Sequence, residues 1–256
     1  MTRPSVFRSG ALALLVGVCV PLLGACTTVT QTREVPAGDV RSPTPEQPSS
    51  DSGRGYRFMH VTEDGSPVRW STCDPIRYVV RPGGGPDDAA DVVRDSVRRL
   101  SEATGLEFSF EGTTDEPPST DRPLYQPGRY GEAFAPVLVA WSDAEEFPQL
   151  QGRAAGYGGP VYVQPGGGAA RYVSGLAVID VEGVAATRGG DTLRAVVLHE
   201  LAHVMGLAHV KNKRQLMNPV QYGEQVTDFR GGDLEGLGKL GAGECYEPVD
   251  PSRFAH

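Results

Sequence analysis

The stretch His199-Glu200-Leu201-Ala202-His203-Val204-Met205-Gly206-Leu207-Ala208-His209 decides how this chain is read. Four residues turn an α-helix by about 400°, so a helix over this segment carries His199 and His203 on one face, one turn apart. Gly206 lets the chain leave that helix in a backbone conformation closed to other residues, and His209 can then swing back toward the same point. These positions hold three of the chain's 5 histidines. By composition alone, the three histidines, Glu200 and Gly206 would fall at this spacing with a probability on the order of 10⁻⁵.

Three neutral imidazoles suit zinc better than harder or redox metals and leave a fourth position for water, the arrangement of a catalytic rather than a closed structural site. Glu200, directly beside a ligand, is placed to accept a proton from that water. The competing readings are an ordinary helix with core or surface histidines, metal binding without catalysis, and an exposed helix carboxylate at Glu200.

Moving outward, the spacing predicts the site-bearing helix over 191–206, capped by Asp191 or Thr192. A second amphipathic helix is expected over 86–104, opened by Pro86, Asp87 and Asp88, with Val92, Val93, Val97, Leu100 and Ala103 at helical spacing before Gly105. Arg94, Arg98 and Arg99 read as its solvated face. Strands are expected over 76–80, 106–111, 137–141, 157–163 and 175–181, with a Pro-rich irregular surface loop over 117–136. With 33 Gly, 21 Pro and 7% aromatic residues, the chain should hold many turns around these elements. A formal charge of −8 and no dense Lys/Arg cluster argue against a nucleic-acid partner.

The full pattern H-E-x-x-H-x-x-G-x-x-H resembles the metzincin clan of zinc peptidases, and the residues beyond it are most similar to the matrixin-like group. The resemblance runs from about Trp70 to Gly241. It implies an α+β fold, a metzincin-like zincin catalytic domain whose twisted mixed β-sheet packs on an active-site helix and a C-terminal helix. It also implies one catalytic Zn²⁺ on His199, His203 and His209 with Glu200 as general base. Leu216-Met217-Asn218-Pro219 resembles the family's Met-turn, with Met217 in the supporting role. Ala155-Gly156-Tyr157-Gly158 resembles its edge strand above the cleft, and Ser174 to Asp180 the strand before the active-site helix. Tyr157, Val204, Pro219 and Tyr222 are the expected lining of the substrate pocket. Asp233 either braces the Met-turn or only caps the last helix. No thiol-bearing propeptide motif and no obvious calcium loops are seen; Asp180 and Glu182 are read either as calcium ligands or as part of a surface turn. The activity implied is that of a zinc-dependent endopeptidase acting on extracellular or cell-surface proteins or peptides. The alternative is a non-catalytic surface lipoprotein whose zinc only stabilises a binding module.

At the N-terminus, Arg3 and Arg8 precede an apolar run from Ala11 to Leu23 that is short for a membrane span. The run ends in Leu23-Gly24-Ala25-Cys26, which resembles a bacterial lipoprotein signal. Residues 1–25 are therefore expected to be a signal peptide, 26–55 a disordered tether rich in Thr, Ser, Pro and Gln, and 56–256 the catalytic domain. Cleavage removes Arg3 and Arg8 and leaves 22 basic against 32 acidic side chains, a formal −10. The expected form is an exported monomer, lipid-anchored through Cys26 on the outer face of the cell membrane. With Cys19 removed and Cys26 lipidated, Cys73 and Cys245 remain as a disulfide pair, with Cys73 as a zinc-blocking thiolate the alternative. Replacing Cys26 by Ser is expected to move the protein from the membrane fraction to a released or unprocessed form. Unchanged fractionation would contradict the lipid anchor.

Overall fold

The structure is a computed structural model that describes residues 40–41, 55–152, 155–166, 168–185, 190–219 and 226–254. In chain order the strands and helices are β1 (Val40–Arg41), β2 (Arg57–Phe58), β3 (Arg69–Trp70), β4 (Ile76–Arg81), α1 (Ala89–Thr104), β5 (Phe108–Thr113), α2 (Pro127–Tyr130), β6 (Val137–Ser142), β7 (Gly156–Val163), β8 (Arg171–Asp180), α3 (Val181–Ala185), α4 (Gly190–Met205), β9 (Leu207–Ala208) and α5 (Gly231–Gly241).

Seven strands form one mixed sheet in the order β1-β7-β8-β6-β4-β5, with β3 pairing the start of β8. Strands β5, β4, β6 and β8 run parallel, and β7 lies antiparallel to β8. The central parallel strands β6 and β8 are buried on both faces, which is why β6 reads Val-Leu-Val-Ala-Trp-Ser without alternation. One face packs on α1 and α4 through Val80, Val97, Leu100, Ile179, Leu198 and Leu201. The other carries a smaller apolar cluster around Leu138, Phe147, Leu150 and Val178. A second sheet of two strands, β2 and β9, lies beside the site-bearing helix.

The elements agree with the sequence expectation to within a few residues at their ends. Helix α4 starts at Gly190, so Asp191 and Thr192 fall inside its first turn rather than at its cap. Helix α1 ends at Gly105, whose φ of 76° is the left-handed cap that glycine favours. The arginine face of α1 is more than solvated. Arg98 pairs with Asp95 at 2.6 Å and Glu102 at 2.7 Å, and Arg99 reaches Asp228 beyond α4.

Two expectations are corrected. The loop over 117–136 is not simply irregular surface: its Arg122 and the nearby Glu116 form a buried, two-pronged ion pair at 2.8 and 2.9 Å. Arg122 also donates to the Pro136 carbonyl and Ser174 Oγ, which pins the loop to β8. The region expected to be a bare tether contributes β1, which pairs antiparallel with Tyr162 and Val163 of β7. An edge strand has unpaired backbone groups that capture such a segment, and Val40 is β-branched. The rest of that region before Gly55, with the signal segment and Cys26, lies outside the described residues.

Cys73 and Cys245 are bonded, with Cα atoms 4.9 Å apart and a sequence separation of 172. The bond joins the turn before β4 to the segment after α5, where Thr72 N–H also donates to the Glu244 carbonyl at 3.1 Å. In the chain-entropy model, closing so long a loop removes about 5 kcal/mol of freedom from the unfolded chain. A non-reducing peptide map should recover the Cys73–Cys245 link, and reduction should lower unfolding stability by an amount up to that size. Finding both thiols alkylatable in the native protein would contradict it.

Candidate metal centre

Helix α4 is apolar on most of its circumference because it is enclosed by β7, β8, α1 and α5. Ala195, Val197, Leu198, Leu201, Ala202 and Met205 are all buried. From Ala195 to Met205 the polar exceptions are His199, Glu200 and His203. Gly206 follows with φ 109°, a left-handed conformation that a side chain would strain. A Cβ there would also meet the Tyr172 hydroxyl at 2.7 Å. The chain thus turns back through β9 and delivers His209.

His199 Nδ1–H donates to the Leu216 carbonyl at 2.8 Å, and His203 Nδ1–H donates to the Leu207 carbonyl at 2.7 Å. These bonds fix the tautomer: with the proton on Nδ1, each neutral ring turns an Nε2 lone pair toward the other. The Nε2 atoms of His199, His203 and His209 lie 3.0, 3.1 and 3.2 Å apart. The contact between His199 and His203 has no proton to share, so it is a convergence of lone pairs rather than a hydrogen bond. One zinc ion bound tetrahedrally at about 2.0–2.1 Å would hold its nitrogens roughly 3.3 Å apart, close to this triangle. The donor set therefore fits zinc. It is the one group of three or more potential ligands found together among the described residues.

The third ligand is held from a distant part of the sequence. Arg57 of β2 pairs with Ala208 of β9, its Nη1 donates to the His209 carbonyl at 3.3 Å, and Met59 N–H donates to the Gly206 carbonyl at 2.8 Å. Sequence reasoning missed Arg57, and nothing local marks it: it lies 152 residues from its partner.

Below the histidines, Met217 is buried at 1% exposure. Its neighbour Leu216 supplies the carbonyl that orients His199. Asp233 settles the choice left open by the sequence, because it does both jobs. Its carboxylate accepts from Leu216 N–H at 2.8 Å and Met217 N–H at 3.3 Å, and also from Arg230 N–H at the start of α5. Asn218 Nδ2 ties the same turn to the Val210 carbonyl.

Glu200 is buried, and desolvation pushes its carboxyl up to about 8. Its side of α4 lies against Gly156 and Gly158 of β7. Tyr157, between them, turns to the opposite face and packs edge-on against Phe147, with ring centroids 5.3 Å apart. Side chains alternate along a strand, which puts the Tyr157 ring on the face away from Glu200. Val204, four residues from Glu200, shares that residue's face and packs where a Cβ on Gly175 of β8 would meet it at 2.9 Å. The half-buried Val196, three residues before His199 and four before Glu200, stands between the histidine face and the Glu200 face and packs against the main core. Pro219 is exposed, and Tyr222 lies outside the described residues. Asp180 accepts from Glu182 N–H at 3.1 Å, the geometry of a surface turn.

Residues 137–240 match the model of the Matrixin peptidase family. A match centred on the three converging imidazoles fits a matrixin-like metzincin, and it supports a metallopeptidase. No curated protein matches the chain.

Burial lowers the pKa of all three histidines, that of His199 to about 4, with mutual repulsion or Arg57 adding to the effect. In zinc-free protein the folded state then refuses protons that the unfolded chain takes up below its ordinary imidazole pKa of about 6.5, so stability is lost as pH falls from there toward 4. Glu200 acts in the opposite sense: its folded pKa is raised, so its contribution is present in acid and is lost as pH rises through about 8. Urea midpoints measured with a chelator should therefore peak near neutrality, and Glu200→Gln should flatten the alkaline side. An alkaline loss of the same size in Glu200→Gln would contradict the assignment.

Proposed function

We propose that this chain is a zinc-dependent endopeptidase in which Glu200 is the general base. The observation that carries the reading is the pairing of an open three-imidazole site with a buried carboxylate on the adjacent helix face. A zinc that served only to stabilise a binding module would gain nothing from a desolvated carboxylate beside it, since burying one is costly.

When bound, the zinc supplies a Lewis acid that polarises a carbonyl and acidifies a water molecule. The chain's residues do the rest. Leu216 and Leu207 carbonyls keep the His199 and His203 lone pairs aimed at the metal. Glu200, within the same pocket, takes a proton from the attacking water and returns it to the departing amine, a role suited to a carboxylate whose surroundings raise its basicity. Strand β7 offers the substrate its outer edge. Among the described residues, β1 pairs only with Tyr162 and Val163, so Gly156 to Val161 have β8 on one side alone. An extended peptide can add to that edge by main-chain hydrogen bonds, which selects backbone geometry over sequence and admits internal bonds. Val196, half-buried one helical turn before both His199 and Glu200, favours an apolar side chain just after the cut bond. The signal-like first 26 residues place this activity outside the cell on a lipid anchor.

The full-length protein should bind about one zinc per chain. Glu200→Ala should keep the metal and lose at least roughly 100-fold in kcat, while His209→Ala should lose zinc affinity. Peptides blocked at both ends should be cut internally. Full activity in Glu200→Ala would sink the mechanism, and removal of single terminal residues from free-ended peptides alone would make the protein an exopeptidase.

A further inference from the structure

Glu200 has no position of its own choosing. Strand β7 presses on it from the sheet side, and the pressure comes at two places where β7 has no side chain. A Cβ placed on Gly156 would lie 2.7 Å from both Glu200 Cγ and Oε1 and 2.8 Å from Cδ. A Cβ on Gly158 would lie 2.5 Å from the Glu200 carbonyl oxygen, 2.8 Å from Oε2 and 3.0 Å from Cα. Neither glycine has a positive φ, so backbone conformation does not call for glycine at either position. Space does. Gly156 pairs with Ile179 and Gly158 with Ala177 of β8, both buried against α4, so the strand cannot retreat from the helix without opening the core.

We infer that Gly156 is a positioning residue for the Glu200 carboxylate, and that Gly158 sets the height of α4 beneath the edge strand. The proposal rests on the reading of Glu200 as general base. The two glycines act on different atoms and so separate by experiment. The three atoms nearest to a Gly156 methyl all belong to the Glu200 side chain, and displacing those atoms moves the carboxylate while leaving the imidazoles where they are. A Gly158 methyl meets the helix backbone, which cannot move without carrying His199 and His203. The carboxylate is thus wedged between its own helix and a bare strand, on the same strand whose outer edge would receive the substrate backbone. Proton transfer from a carboxylate depends on its placement to a fraction of an ångström, and a shift of about 1 Å can cost on the order of 100-fold.

The test uses the full-length protein carrying Gly156→Ala, Gly158→Ala, Glu200→Ala, Glu200→Asp and the two doubles of Gly156→Ala with each Glu200 variant. Zinc content, kcat and KM on a doubly blocked peptide are measured for each. Gly156→Ala should keep full zinc and a KM within about twofold, with kcat down roughly tenfold to 100-fold. Added to Glu200→Ala, it should change the residual rate less than twofold, because the group it displaces is gone. Added to Glu200→Asp, whose side chain is one methylene shorter, it should cost less than threefold. Gly158→Ala should lower zinc retention and kcat together. A kcat for Gly156→Ala within twofold of the parent, or the same loss in the Glu200→Ala background, would overturn the proposal. Misfolding of Gly156→Ala that Glu200→Asp reverses would support the wedge, and misfolding that it does not reverse would count against it. Parent-like activity in Glu200→Ala would instead overturn the general-base reading.

Discussion

Three imidazole nitrogens brought within 3.0 to 3.2 Å of one another are the constraint on which this fold turns. Two of them are fixed as lone pairs by protons spent on backbone carbonyls, and lone pairs at that separation repel unless a cation lies between them. The rest of the domain works against that repulsion. Helix α4 supplies two rings from one rigid face, the left-handed turn at Gly206 returns the third, and the turn around Met217 holds the first in orientation. That turn is in its own right hung from Asp233 by two backbone N–H groups. A buried carboxylate in the first turn of α5 therefore reaches His199 through two hydrogen bonds.

The same enclosure serves both metal and base. Burial keeps the histidines neutral and available as ligands, and it raises Glu200 toward the range in which a carboxylate both takes and returns a proton. Burial thus pushes two kinds of group in opposite directions, the imidazoles down and the carboxyl up. The mixed sheet makes this possible. Its central strands β6 and β8 are buried on both faces and give α4 a stiff floor, while among the described residues β7 pairs along Gly156 to Val161 with β8 alone.

Much of the site was legible in the sequence because its rules are local. Helical spacing placed His199 and His203 on one face, Gly206 announced the exit, and the residual even pair of cysteines pointed to the bond that the structure holds. The role of Val204 was also within reach: it stands four residues from Glu200, so the same helical arithmetic puts it on the sheet side. The face of Tyr157 was within reach for a similar reason, since strand alternation gives the inward positions to Gly156 and Gly158. Other features depend on where distant segments meet. Arg57 reaches the third ligand's carbonyl across 152 residues, and Glu116 and Arg122 become buried only because their loop folds back on β8. No periodicity in a single sequence encodes such meetings.

The centre of this account is a zinc held by three imidazoles and no thiolate, and X-ray absorption at the zinc edge of the purified full-length protein reads that directly. Three imidazole nitrogens and one further light atom at about 2.0–2.1 Å are predicted. A sulfur neighbour near 2.3 Å, or fewer than three imidazoles, would contradict it.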